Sequence, residues 1–234
     1  MCERNSNDAL LEVIFLVDIS SSIAPKVANG MGGLWTWLNS FTKRFDFKRQ
    51  SKMALITFNK DTSVEVSLQI ELHMCIMLCL QASLGHYNQN EIDQIMLNTL
   101  SDIKPIDESS LNFALKTARK EFKHNGMPEA DKAIVLVTDG WSTDTNTPYY
   151  HSSLAVREGS IPIFRQDWKQ FLGIDIYTVG FGPVLNKEYL YTTTMGKEEN
   201  IHAAADLTGL HTTSLMLQEQ VRFVCSVKDF YWSS

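Results

Sequence analysis

The sequence predicts an α/β protein built on a largely parallel sheet with helices on both faces. Three observations lead there. Short runs rich in β-branched and apolar residues, residues 12–18 and 133–138 foremost, read as strands buried on both sides. Between such runs lie segments whose apolar residues recur at three- and four-residue spacings, as on a helix packed by one face. Strands also alternate with helices along the chain instead of standing in separate blocks, which is the pattern of parallel strands joined by helical crossovers.

In chain order, residues 12–18 form the first predicted strand, an apolar run that ends in the polar loop Asp18-Ile19-Ser20-Ser21-Ser22. Residues 23–44 turn helical, with Val27, Leu34, Trp37, Leu38 and Phe41 on the apolar face. Residues 53–58 are a second strand, and the turn Asn59-Lys60-Asp61 leads into an alternating third strand over 62–68, its expected hairpin partner. Two helices are expected at 91–102 and 109–123, separated by Pro105. Residues 133–138 make the clearest central strand, 174–180 another and 201–204 a short last one. Residues 207–224 read as a closing helix.

Length and composition bound the answer. The chain has 234 residues, enough for one large α/β domain spanning 1–234. It is 44% hydrophobic and 21% charged, so a full core is expected and disorder is not. A formal charge of -6 argues against binding nucleic acid through its phosphates, which requires a cationic footprint. The most apolar stretch, residues 72–80, is far shorter than the ~20 residues that a membrane-spanning helix needs. The four cysteines are Cys2, Cys75, Cys79 and Cys225. Cys75 and Cys79 share a face if helical and read as buried thiols, because no second cluster completes a zinc site.

In open α/β sheets, ligands bind beyond the carboxyl ends of the strands. There the sequence places Asp18, Ser20 and Ser22 after one strand and Asp139 after another. These groups offer hard oxygen atoms without histidine or thiol, a donor set that selects Mg²⁺, Mn²⁺ or Ca²⁺. In an extended turn Asp18, Ser20 and Ser22 would face one way, with Ile19 and Ser21 facing the other. Two carboxylates nearly neutralise a dication, and hydroxyls add donors without charge. The ion therefore retains affinity for a further carboxylate. Each piece alone is ordinary, since Asp and Ser also cap helices and make turns.

The ordered set resembles the metal-ion-dependent adhesion site of von Willebrand factor type A (VWA) domains. The resemblance rests on Asp18-Ile19-Ser20-Ser21-Ser22, Ala54-Leu55-Ile56-Thr57-Phe58, Leu136-Val137-Thr138-Asp139-Gly140 and Ile176-Tyr177-Thr178-Val179-Gly180-Phe181-Gly182. It implies a doubly wound, Rossmann-like sheet with one antiparallel edge strand, and Asp18, Ser20, Ser22 and Asp139 as metal-site residues holding Mg²⁺, with Mn²⁺ or Ca²⁺ as alternatives. In the family a threonine before a helix with an Ala-Leu pair completes the site. Aligning on Ala114-Leu115 puts Ser109 there, with Ser110 as the second candidate and helix capping as the other use of either hydroxyl. Two departures stand out. Asp107-Glu108 replaces glycines usual before that threonine, and residues 70–83 look like an insertion whose Met/Cys/Leu composition does not suit an exposed loop.

The function so implied is a metal-dependent binding module of adhesion or matrix type. Its partner would be a protein that presents Asp or Glu, extracellular matrix included. The alternative is an intracellular scaffold subunit whose metal site is structural or decayed. Catalysis is not expected: Ser20 stands where a phosphatase-like Asp-x-Asp would have its second aspartate, and Leu185 stands at the third glycine of a dinucleotide fingerprint begun by Gly180 and Gly182. The six histidines show no repeated ligand spacing. Trp141, two residues past Asp139, is a candidate partner contact at the metal rim. No leader is read at Met1 to Asn5, and no Asn-x-Ser/Thr sequon occurs. A Cys2–Cys225 bridge, of the kind family members often use to tie their ends, would suit an extracellular location within a larger protein.

Overall fold

In chain order the strands are β1 (Leu11–Asp18), β2 (Ser51–Phe58), β3 (Thr62–Ser67), β4 (Ala82–Ser83), β5 (Asp131–Thr138), β6 (Ile174–Phe181) and β7 (Ile201–Ala204). Two helices have full bounds, α1 (Leu111–Asn125) and α2 (Lys187–Thr193). The computed structural model describes residues 11–23, 36–38, 40, 51–60, 62–67, 82–83, 94, 109–127, 130–142, 152–155, 173–182, 184–205, 209–213, 215–217 and 220.

β1 is buried along its whole length, which explains its near-continuous apolar sequence. It pairs in parallel with β2 on one side and β5 on the other, and β6 and β7 extend the sheet beyond β5, again in parallel. β3 runs antiparallel to β2 with a register shift at Leu55/Ile56, as the expected hairpin requires. The edge itself differs from expectation. Two-residue β4 pairs in parallel with β3, so two strands, not one, run against the other five.

The strand order is β4-β3-β2-β1-β5-β6-β7. The chain winds outward from β1 through β2, then returns to β5 and winds the other way. The strand order therefore reverses between β1 and β5. Loops leaving the carboxyl ends of those two strands diverge and leave a crevice there.

Alternate residues of β1, β2, β5 and β6 enter one of two cores. Val13, Phe15, Val17, Leu55, Val135, Val137 and Val179 pack with Trp37, Leu38, Leu210 and Leu217, which come from residues in helical conformation. Ile14, Leu16, Ile56, Phe58, Ile134, Leu136 and Ile176 pack on the other face against Leu111, Ala114, Leu115, Ala118 and Phe122 of α1. Those helix positions recur at three- and four-residue spacings, so one stripe of α1 covers the sheet.

Most predicted elements lie within two residues of the observed ones; α1 starts at Leu111 and runs on to Asn125. α2 was not predicted. Its sequence, with Thr192 and Thr193 at its end, has weak helix propensity, and the helix is set by the Asn186 cap and burial of Leu190. Of the expected insertion, only Ala82 and Ser83 are described, and residues 70–81 lie outside the described set. Cys2, Cys75, Cys79, Cys225, Asp107 and Glu108 also lie outside it. Among the described residues no helix is long and apolar enough to cross a membrane.

Candidate metal site

Asp18 ends β1 at the point where the strand order reverses, and its side chain is fully buried. Its Oδ1 accepts the Ser20 backbone N–H at 2.9 Å. Its Oδ2 accepts the Thr138 hydroxyl at 2.8 Å and the Ser109 hydroxyl at 3.4 Å. The loop after β1 is a turn, with Ile23 N–H donating to Ser20 O at 3.1 Å. The turn brings the Ser20 and Ser22 hydroxyls within 2.9 Å of one another. Ile19 and Ile23 are buried in the core and anchor the loop from below.

Asp139 follows β5 and is also fully buried. The parallel register pairs Val17 with Val137, so the next residues, Asp18 and Thr138, come side by side. Asp139 Oδ1 accepts the Trp141 backbone N–H at 3.1 Å, and Asn186 N–H donates to Asp139 O at 3.1 Å. Gly140 sits at φ +80, where a side chain is strained, and a Cβ there would approach Asn186 O to 2.9 Å. Glycine is what lets this loop close onto the α2 cap.

The two serines before α1 have different roles. Ser110 is its N-cap, its side chain accepting Phe113 N–H at 3.4 Å, while Ser109 is buried and donates to Asp18. Ser109 is held from two directions. Ser110 N–H donates to Asn59 O at the end of β2, and the Ser142 hydroxyl donates to Ser109 O at 2.8 Å. Sequence reasoning assigned no metal-site role to Thr138, Asn59, Ser142 or Asn186. Thr138 was at least visible as the residue between an apolar strand and Asp139, and Asn59 as a turn residue; Ser142 and Asn186 carried no signal.

Among the described residues, the groups that hold Asp18 are a backbone amide and serine and threonine hydroxyls, none of them charged. Burial pushes its carboxyl up to about 6 from 3.8, against the lowering effect of the Ser20 and Thr138 hydrogen bonds, and the charge of nearby Asp139 adds to the rise. Two buried carboxylates therefore come together in a hydroxyl-lined crevice. A hard dication suits that donor set, and the five residues that would hold it are Asp18, Ser20, Ser22, Ser109 and Asp139. Among the described residues no group of three or more His, Cys, Asp or Glu forms a different candidate.

The family profile described as the von Willebrand factor type A domain matches residues 13–142, more than half of the chain, and a second profile of the same domain matches residues 80–215. The chain belongs to the von Willebrand factor type A domain family. Solved structures agree in fold. The A domain resembles proximal thread matrix protein 1 from the mussel byssus with TM-score 0.69 at 16% identity, over 91% of this chain and 48% of that one. A structure of the same mussel protein with a zinc-occupied MIDAS motif gives TM-score 0.68 at 19% identity, over 94% and 46%. Manganese-loaded TRAP protein of Plasmodium vivax gives TM-score 0.64 at 14% identity, over 90% and 74%. The A domain spans about half the length of the mussel protein chains. No curated protein sequence matches it.

Proposed function

We propose that this A domain is a divalent-metal-dependent protein-binding module of adhesion type, with Asp18, Ser20, Ser22, Ser109 and Asp139 as the metal-site residues. The observation that supports it best is the pair of fully buried carboxylates at the reversal of strand order, with Asp18 held, among the described residues, by neutral donors. Burial of Asp18 disfavours its ionised form, so that carboxylate is costly to keep charged without a cation. A bound dication would supply that charge and an open position for an Asp or Glu of a partner. The metal solved in two of the similar proteins, zinc in one and manganese in the other, is in keeping with a dication. Mg²⁺ is the ion proposed here, because every donor is oxygen.

Each residue's task follows from its position. Asp18 and Asp139 supply the charge. Ser20, Ser22 and Ser109 supply neutral donors, and Thr138 fixes the Asp18 carboxylate by donating to it. The reading contains no catalytic step. We further propose one domain over residues 1–234 with an insertion at about 70–83, an extracellular setting, a Cys2–Cys225 bridge, and matrix protein as the class of partner.

The test is metal dependence. A panel of acidic peptides should bind the chain in Mg²⁺ or Mn²⁺ and be released by EDTA, and Asp139→Ala should lose binding while keeping its far-UV circular dichroism. Binding that persists unchanged in EDTA would refute the mechanism. Mg²⁺ that raises the melting temperature without any carboxylate-ligand dependence would instead favour a structural metal in a scaffold subunit.

A further inference from the structure

Two tryptophans are described, and they differ sharply. Trp37 is buried, whereas Trp141 is 52% exposed although it lies only two residues past the fully buried Asp139. Its exposure is not that of a loose side chain. The backbone N–H of Trp141 donates to the Asp139 carboxylate at 3.1 Å, and the indole Nε1–H donates to Val184 O at 3.4 Å. The residue is tied at both ends, across the loops that follow β5 and β6. Val184 is itself 63% exposed. The result is a fixed apolar patch directly beside a carboxylate of the metal site.

We infer that Trp141 and Val184 form an anchor for the side chain next to the partner's coordinating carboxylate, so that the partner is an acidic motif with a bulky apolar or aromatic residue one or two positions from its Asp or Glu. The inference rests on the metal-capture reading above and adds the specificity element to it. Geometry sets the occupant. Trp141 is bonded through its backbone to the Asp139 carboxylate, so a residue flanking a carboxylate bound there comes within reach of the indole. A rigid aromatic loses little conformational freedom on binding, and removing its exposed ring from water adds affinity that the metal alone does not discriminate. Neither of these two exposed side chains is charged, which favours an apolar neighbour in the partner over a cationic one.

The experiment is panning of a displayed library of short peptides, each with one central Glu and randomised flanking positions, on the full chain in Mn²⁺. EDTA-released binders should be enriched in Leu, Ile, Phe, Tyr or Trp within two positions of the Glu. Trp141→Ala should weaken such a peptide by about thirtyfold, as expected for a hot-spot aromatic, while leaving Mn²⁺ affinity and the binding of a Glu peptide with Ser flanks unchanged. Trp141→Phe should restore part of the loss. Metal-dependent binders without apolar enrichment, or an unaltered affinity in Trp141→Ala, overturn the anchor and leave metal capture standing. Absence of any EDTA-sensitive binder overturns both.

Discussion

At the scale of single residues, Asp18 carries the strongest prediction. Its folded-state pKa of about 6 lies above the ordinary 3.8, so the metal-free fold holds the proton more tightly than the unfolded chain does. This group's contribution to stability is therefore complete below about 3.8 and is lost as pH rises through about 6. A dication competes for the same oxygens and reverses the loss. The melting-temperature increase caused by Mg²⁺ should be large at about pH 7.5 and small at about pH 5; a shift independent of pH across that window would exclude Asp18 as a ligand. Asp18→Asn removes the buried charge, so the metal-free variant should melt no lower than the metal-free parent at about pH 7.5 and should not respond to Mg²⁺. Asp18 was legible because an aspartate directly after a buried strand stands out. The Thr138 hydroxyl that orients it was not, since the two residues are 120 apart in the chain.

At the scale of elements, α1 divides the work of two adjacent hydroxyls. Ser110 closes the first turn of the helix, and Ser109 faces the crevice. Ser110→Ala should cost about 1 kcal/mol in urea unfolding, the usual value of an N-cap, with Mn²⁺ affinity retained. Ser109→Ala should do the opposite, reducing Mn²⁺ affinity by calorimetry with little loss of stability. Sequence periodicity identified the helix but left these two roles interchangeable, because both serines precede the first buried position, Leu111. α2 escaped sequence reading altogether. Its cap Asn186 also donates its backbone N–H to Asp139 O, so an unpredicted helix helps to hold a predicted site residue.

At the scale of the whole molecule, the end of the sheet opposite the crevice has its own buried charge. Glu12 is fully buried at the start of β1; its Oε1 accepts Met127 N–H at 2.8 Å, and Lys132 and Lys52 approach its oxygens to 3.7 and 4.0 Å. Burial raises its pKa, the Met127 amide and the two lysines opposing that rise. The cluster ties the end of α1 to three neighbouring strands, and Gly126 fits there because a Cβ would collide with Phe122 O and come within 2.8 Å of Glu12 Oε2. Glu12→Ala should cost about 3–5 kcal/mol in urea unfolding, as when one partner of a buried ion pair is removed. Metal affinity at the other end of β1, about 20 Å away, should be preserved. A parallel loss of Mn²⁺ binding in folded Glu12→Ala would mean that the two ends of the sheet are coupled.

By itself the sequence determined the alternation of strands and helices, the central position of the runs at 12–18 and 133–138, and the oxygen-donor character of their loops. These are local properties: apolar runs without polar alternation demand burial on both faces, and the polar residues that follow them must lie at strand ends. The tertiary structure decided which donors meet. Parallel register between β1 and β5 sets Asp18 beside Thr138, two hydrogen bonds from distant loops turn Ser109 toward Asp18, and the second reversed strand at the sheet edge depends on a pairing of only two residues. Contacts between segments a hundred residues apart leave no periodicity in the chain, so only the folded arrangement reveals them.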